Sequence, residues 1–199
     1  MTAILLQQAT PKYKPLLDLT ERRHRLYAER HGMRYMRFDG TIMPAWHPYW
    51  APIFLCLVLL MQNDVDGVWQ MDADTLIVGD DDMRYAVEAG RIGICWEERP
   101  LPAHWNIGVS FFSNCERVRD FIRATIERGP GGPPWYCEQV MNDLLAEPEW
   151  AGLEQGLDHR WNSIRGYTEV AEPQIVAWHG TLPANKLAKM QEYMRENGL

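Results

Sequence analysis

The stretch Val68–Gly79, VWQMDADTLIVG, decides how the rest of the chain reads. It opens on an apolar run with the composition of a buried strand and then places two carboxylates, Asp72 and Asp74, where that run stops. Burying a carboxylate beside apolar groups is costly unless it is paired or bound to a metal. In open α/β sheets ligands gather at the carboxyl ends of strands, and side chains two residues apart on a strand share a face. Both carboxylates are therefore expected to face one cation. Hard oxygen ligands suit magnesium or manganese. Two aspartates capping a turn are the plain alternative.

Outward from this stretch, apolar runs alternate with segments of helical spacing. Towards the N-terminus, Ala3–Gln8 reads as a first strand ending at Thr10-Pro11. Leu16, Leu19, Leu26 and Tyr27 mark a helix that starts near Pro15 and closes at Gly32, and Tyr35–Phe38 reads as a second strand. A loop with Trp46, His47 and Trp50 precedes an apolar helix from Pro52 to about Asn63. Beyond the aspartates, Thr75–Val78 is β-like, and Asp81 or Asp82 is expected to cap a short helix reaching Ala89. Ile92–Trp96 and Gly108–Ser113 read as strands, and Val118, Phe121, Ile122 and Ile126 form one face of a helix. A GPGGPP loop (129–134), a helix from Tyr136 to Glu147, a Trp-rich irregular stretch, a strand Gln174–Trp178 and a helix from Ala184 complete the chain. This order predicts one α/β domain over residues 1–199, an α/β/α sandwich of Rossmann-like type around a mainly parallel sheet.

The chain has 199 residues, 46% of them hydrophobic and 24% charged, enough for one packed domain and too apolar for disorder. A formal charge of −7 argues against a dedicated nucleic-acid binder. Cys56, Cys95, Cys115 and Cys137 show no CxxC spacing and are expected to be reduced thiols of a cytoplasmic protein. The longest apolar run, Ala51–Met61, is too short to span a bilayer, so no membrane anchor is expected. The arginines 22, 23, 25 and 30 read as a solvated helix face, and Asp80–Asp82 as a helix cap.

Two enzyme classes share the local pattern. The hydrophobic run followed by Asp72, Asp74 and Thr75 is similar to the nucleophile motif of haloacid-dehalogenase phosphatases, with Asp72 as the nucleophile. After Thr75, however, the only lysines are Lys186 and Lys189, and no separate acidic pair follows at a strand end. The broader resemblance is to nucleotide-sugar glycosyltransferases of the GT-A fold. YAERHG (27–32), VWQMDADTLIVGD (68–80), NIGVSFFSN (106–114), Glu138-Gln139 and WHG (178–180) resemble, in order, motifs of the galactosyltransferase and xylosyltransferase family acting on galactomannan and xyloglucan. The last pattern is also similar to that of glycogenin-like transferases.

That resemblance implies a metal-dependent transfer of a sugar from a nucleotide-diphosphate donor, a UDP-sugar, to an acceptor hydroxyl with retention. It implies manganese or magnesium held by the DxD aspartates Asp72 and Asp74 together with His179. Donor contacts would come from Ala9, Thr10 and Tyr13, from Asp72, from Asn106 and Gly108, from Glu138 and Gln139, and from Gly180. Lys186 would cap the leaving diphosphate. Glu138 could alternatively lie beneath the anomeric carbon and act, with Asp72 and Asp74, as a catalytic group. Trp161 and Asn162 would meet the acceptor, which could be a glycan, a protein, a small molecule or a modified nucleic acid. Trp135, Trp150 and Trp161 could form a sugar platform or pack in the core. Where the family often carries a cation after a Trp, this chain has Trp50-Ala51-Pro52, and Arg84 or Arg91 could substitute. A non-catalytic nucleotide-sugar-binding module is the remaining alternative. The sugar, the acceptor and the oligomeric state stay open at this level.

Overall fold

A computed structural model describes residues 2–42, 46–98, 103–130, 137–179 and 181–199. Six strands form the central sheet: β1 (Thr2–Ala9), β2 (Arg34–Asp39), β3 (Val65–Asp72), β5 (Ile92–Glu97), β6 (His104–Ser113) and β7 (Glu154–Leu157). Between β3 and β5 runs the short β4 (Thr75–Ile77), which belongs to a second sheet. The spatial order is β2-β1-β3-β6-β5-β7. Only β6 runs against the rest, pairing antiparallel with β3 on one side and β5 on the other. The sheet is thus mostly parallel, as the alternation of elements requires.

β1 shows why the sheet is buried on both faces. Ile4 and Leu6 point into one apolar layer, Ala3 and Leu5 into the other, and all four are fully buried. A strand covered on both sides needs a continuous apolar run, which is what Ala3–Leu6 supplies. One layer is closed by α2 (Ala51–Leu60), α3 (Glu116–Arg128) and α4 (Cys137–Leu145), the other by α1 (Lys14–Arg30). α1 ends at Gly32, whose φ of +62° is the left-handed conformation that a glycine adopts without strain.

A second, three-stranded sheet lies at the C-terminal end of the first. It orders β4, β9 (Ile175–Ala177) and β8 (Ser163–Ile164) as β4-β9-β8, with α5 (Pro183–Glu196) following. Thr75 pairs with Ala177 and Ile77 with Ile175. This ladder carries the chain's last strand back to the aspartates.

Several expectations need correcting. The helix expected from Asp81 or Asp82 to Ala89 is a single 3-10 turn, Met83–Tyr85, capped by Asp82 accepting from the Arg84 N–H. The Trp-rich stretch is not irregular throughout, because β7 adds to the sheet edge by pairing with β5. Asp72 ends β3, whereas Asp74 lies in the turn that follows, so a turn brings the two carboxylates together and not strand periodicity. Trp135, Tyr136, most of GPGGPP and Gly180 fall outside the described residues. Among those that are described, no helix is long and apolar enough to cross a membrane.

Candidate active site

The turn after β3 is fixed from three directions. Thr75 Oγ1 and Gln7 Nε2 both donate to the Asp72 carbonyl, at 2.6 and 3.4 Å. The Trp178 N–H donates to the Asp74 carbonyl at 3.0 Å, which extends the β4–β9 pairing by one residue and delivers His179. From α1, the fully buried His24 accepts the Ile77 N–H at Nε2 (3.0 Å) and donates from Nδ1 to Gln7 Oε1 (2.7 Å). Burial drives the His24 pKa down to about 3, with Arg23 adding to the effect, so the ring is neutral and the two bonds fix its tautomer.

His179 Nδ1 sits 3.1 Å from Asp74 Oδ1 and 3.9 Å from Asp72 Oδ2. Lys186, from α5, donates to Asp74 Oδ2. Asp72 Oδ1 accepts from Gln70 Nε2 at 3.0 Å, and Gln70 is itself held by Ser110 Oγ at 3.1 Å. Burial opposes a charged imidazole, but the charge and hydrogen bond of Asp74, with Asp72 behind, carry the His179 pKa up to about 9. Burial also raises carboxyl pKa values, yet His179 and Lys186 hold Asp74 well below the usual range. Burial and the Asp74 charge lift Asp72 to about 7 against the pull of His179, although its side chain remains 45% exposed and keeps some solvent.

Asp72, Asp74 and His179 each offer a ligand atom, and these atoms lie within 4.8 Å of one another. Two carboxylates and an imidazole facing one point fit a divalent cation. Gln70 and Ser110 supply the outer hydrogen bonds that orient such a ligand set. Gly108 makes room for it. A Cβ there would lie 2.5 Å from His179 Cε1 and Nε2, so the close approach that this glycine permits is that of the histidine ring.

These groups line one side of a cavity of about 540 Å³. Ala9, the last residue of β1, and Thr10, Lys12 and Tyr13 after it also line the cavity. Asn106, Ile107 and Gly108 of β6, Glu138 of α4, and His47, Pro48, Tyr49 and Pro52 line it as well, with Gly108 against the His179 ring. The β6 residues reach the cavity because the register with β5 jumps. Ile94 faces Ser110 while the next residue, Cys95, faces Asn106, so three residues of β6 stand opposite none of β5. Irregularities of this kind re-aim side chains beside functional sites.

The structure thus places Ala9, Thr10, Tyr13, Asp72, Asp74, Asn106, Gly108, Glu138, His179 and Lys186 around one cavity. Gln139 is not among them. It lies exposed on the outer face of α4 and donates to Asp143 at 2.7 Å. Trp161 packs edge-on against Trp69 in the core, 6.1 Å between ring centroids, and Trp150 packs against Phe121. Neither ring offers a sugar platform. Asn162 is fully buried behind Asn106 and does not line the cavity. Arg84 is tied to Asp82 and Arg91 to the Gly152 carbonyl, so neither supplies the cation missing after Trp50. Lys12 lines the cavity instead, one residue from Tyr13 in the 3-10 turn Pro11–Tyr13. Its position between Thr10 and Tyr13 was the available signal.

The fold agrees with comparisons to known proteins. A glycosyltransferase involved in the glycosylation of the major capsid of PBCV-1 superposes with a TM-score of 0.75 at 15% identity, over 96% of this chain and 100% of that one. Galactosyltransferase LgtC, in complex with donor and acceptor sugar analogues, gives 0.64 at 14% identity over 95% and 94% of the two chains. In sequence, a rice protein (Oryza sativa subsp. japonica) called Probable glycosyltransferase 6 is 25% identical over 131 residues, 60% of this chain. The match spans about a quarter (26%) of that relative's own length. No protein-family model matches the chain. The chain has the GT-A glycosyltransferase fold.

Proposed function

We propose that the protein is a metal-dependent glycosyltransferase that moves a sugar from a nucleotide-diphosphate donor, a UDP-sugar, to an acceptor hydroxyl with retention of configuration. The observation that carries this reading is the meeting of Asp72, Asp74 and His179 in the lining of a cavity that also receives Lys186. Manganese or magnesium held by these three side chains would neutralise charge on the leaving diphosphate. Lys186 adds a fixed positive charge beside it, and Tyr13 offers an aromatic face for a base at the end of β1.

Transfer breaks the bond between the anomeric carbon and the diphosphate oxygen and forms one to the acceptor oxygen. In the single-step retaining route the acceptor proton passes to an oxygen of the leaving diphosphate. Glu138 favours this route over a covalent glycosyl-enzyme. Its Oε2 accepts the Ile107 N–H at 3.1 Å and its Oε1 lies 3.5 Å from His104 Nε2, so its oxygens are engaged by the protein. As a binding group it remains well placed at the start of α4.

The phosphatase reading gains no support. The fold neighbours are glycosyltransferases, and among the described residues Asp72, Asp74 and His179 make the one cluster of three suited to a metal. The test is turnover of UDP-sugars with manganese, magnesium or EDTA. Metal-dependent release of UDP that is lost in Asp74→Ala supports the proposal. Metal-independent turnover surviving in that variant overturns it. Tight binding without turnover across an acceptor panel identifies the non-catalytic module instead.

A further inference from the structure

Asn162 and Asn106 are two side-chain amides in contact, one behind the cavity and one in its wall. Asn106 Oδ1 accepts the Gly108 N–H at 2.9 Å and Asn162 Nδ2 at 3.1 Å. A backbone N–H can only donate, so the Asn106 oxygen is the atom that faces inward, and its orientation is not a matter of choice between two flips. Among the described residues its Nδ2 makes no hydrogen bond with the protein. Asn106 therefore offers the cavity two N–H groups and no acceptor.

Asn162 is 0% exposed, and its own Oδ1 is buried without a partner. A buried amide with one end unsatisfied costs stability and does not add to it. Its one side-chain bond is the one to Asn106. Packing alone would be served better by an apolar residue of similar size, so the amide is explained by what it does to its neighbour.

We propose that Asn162 is a positioning residue that locks the Asn106 amide with its N–H groups towards the cavity, making that subsite select for an acceptor oxygen on the transferred sugar. The inference rests on the donor reading given above. It moves Asn162 from the acceptor side of the reaction to the donor sugar. Its signature is selective. The side chain of Asn162 bonds Asn106 and none of the aspartates, His179, Lys186 or Tyr13, so its loss acts on the sugar moiety and spares the nucleotide and metal contacts.

The experiment compares dissociation constants for UDP alone and for UDP-glucose and UDP-galactose, each with manganese, in wild type, Asn162→Ala and Asn162→Asp. Asn162→Ala removes one of two anchors and should weaken the better UDP-sugar by about fivefold, the worth of one hydrogen bond. Asn162→Asp presents an acceptor to Asn106, favours the inverted amide, and should weaken it by tenfold or more. UDP should bind all three proteins within twofold. Equal weakening of UDP and UDP-sugar, or no weakening of either, overturns the proposal. If the aspartate variant does not fold, the alanine variant carries the test alone. A wild-type protein that binds none of these ligands with manganese fails the donor reading, an outcome distinct from failure of the Asn162 assignment.

Discussion

Lys186 donates to Oδ2 of Asp74, the carboxylate whose other oxygen meets His179. Without a metal, the site's most buried acid is thus neutralised by the protein's own cations. A metal ion must take over at least part of that carboxylate, so Lys186 competes with the metal until a diphosphate arrives to receive its charge. Replacing Lys186 by Gln should therefore have opposite effects on two ligands. Manganese alone should bind about threefold to tenfold more tightly, and manganese with UDP should bind more weakly by a similar factor, the scale of one charge-assisted hydrogen bond. Calorimetry with each ligand checks the signs. Equal signs would show that the lysine serves only one of the two states.

The ring of His179 supplies a pH dependence with a definite direction. Its pKa is raised to about 9, so at neutral pH the metal-free ring carries a proton. Metal ligation needs the neutral ring and displaces that proton. Manganese affinity should rise with pH through the neutral range, by up to about tenfold per unit, and level off above pH 9. Titrations at pH 8, where Asp72 with its pKa of about 7 has lost most of its own proton, in buffers of different ionisation enthalpy should report close to one proton released per metal. Affinity that is flat between pH 7 and pH 9 would remove His179 from the ligand set.

Asp74→Asn tests the same cluster without a metal. The substitution leaves the Trp178 backbone bond in place and removes the charge that holds both His179 and Lys186. With burial then dominant, the His179 pKa should fall from about 9 to below its ordinary value near 6.5, read by NMR titration of the ring. Metal affinity should fall about a hundredfold or more, and stability by about 3 kcal/mol, because breaking a buried pair strands its partners.

Gly108→Ala changes neither charge nor ligand. It adds a Cβ that would lie 2.5 Å from the His179 ring and 3.0 Å from Asn106 Oδ1. The ring must swing away from Asp74, so manganese binding should weaken at least tenfold while the aspartates remain. A crystal structure of the variant with manganese should show the displaced ring. Unchanged metal affinity would show that the ring accommodates the methyl without leaving the site.

The sequence made the architecture legible where local and global preferences agree. Ala3–Leu6 and Val68–Met71 are apolar enough to be buried on two faces, and α3 carries its core residues at helical spacing. It was less legible where pairing decides. Glu154–Leu157 has no apolar alternation, and β5 alone makes it a strand. Among site residues, the cluster followed from the motif order, and the side-chain partners did not. Lys12 enters the cavity through a 3-10 turn whose direction no periodicity encodes, and a tryptophan, Trp161, packs in the core as readily as it would bind sugar. Asn162 reads as an acceptor contact until its burial behind Asn106 is seen.

His24 links the metal turn to overall stability, again with a definite sign. Its folded pKa of about 3 lies below the value near 6.5 of an unfolded chain. Between these values the unfolded chain binds a proton that the folded protein does not. The folded state is fully favoured above pH 6.5 and loses stability as pH falls, by up to about 1.4 kcal/mol per unit. His24→Leu abolishes that slope and leaves the Ile77 N–H and Gln7 Oε1 without their partner, costing about 1–3 kcal/mol at pH 7. The gap between wild type and variant should therefore narrow as pH falls from 7 to 5, measured by urea unfolding at each pH. Parallel pH curves would mean that the ring gains its proton inside the fold, and that the brace between α1 and the turn carrying Asp72 and Asp74 opens before the protein unfolds.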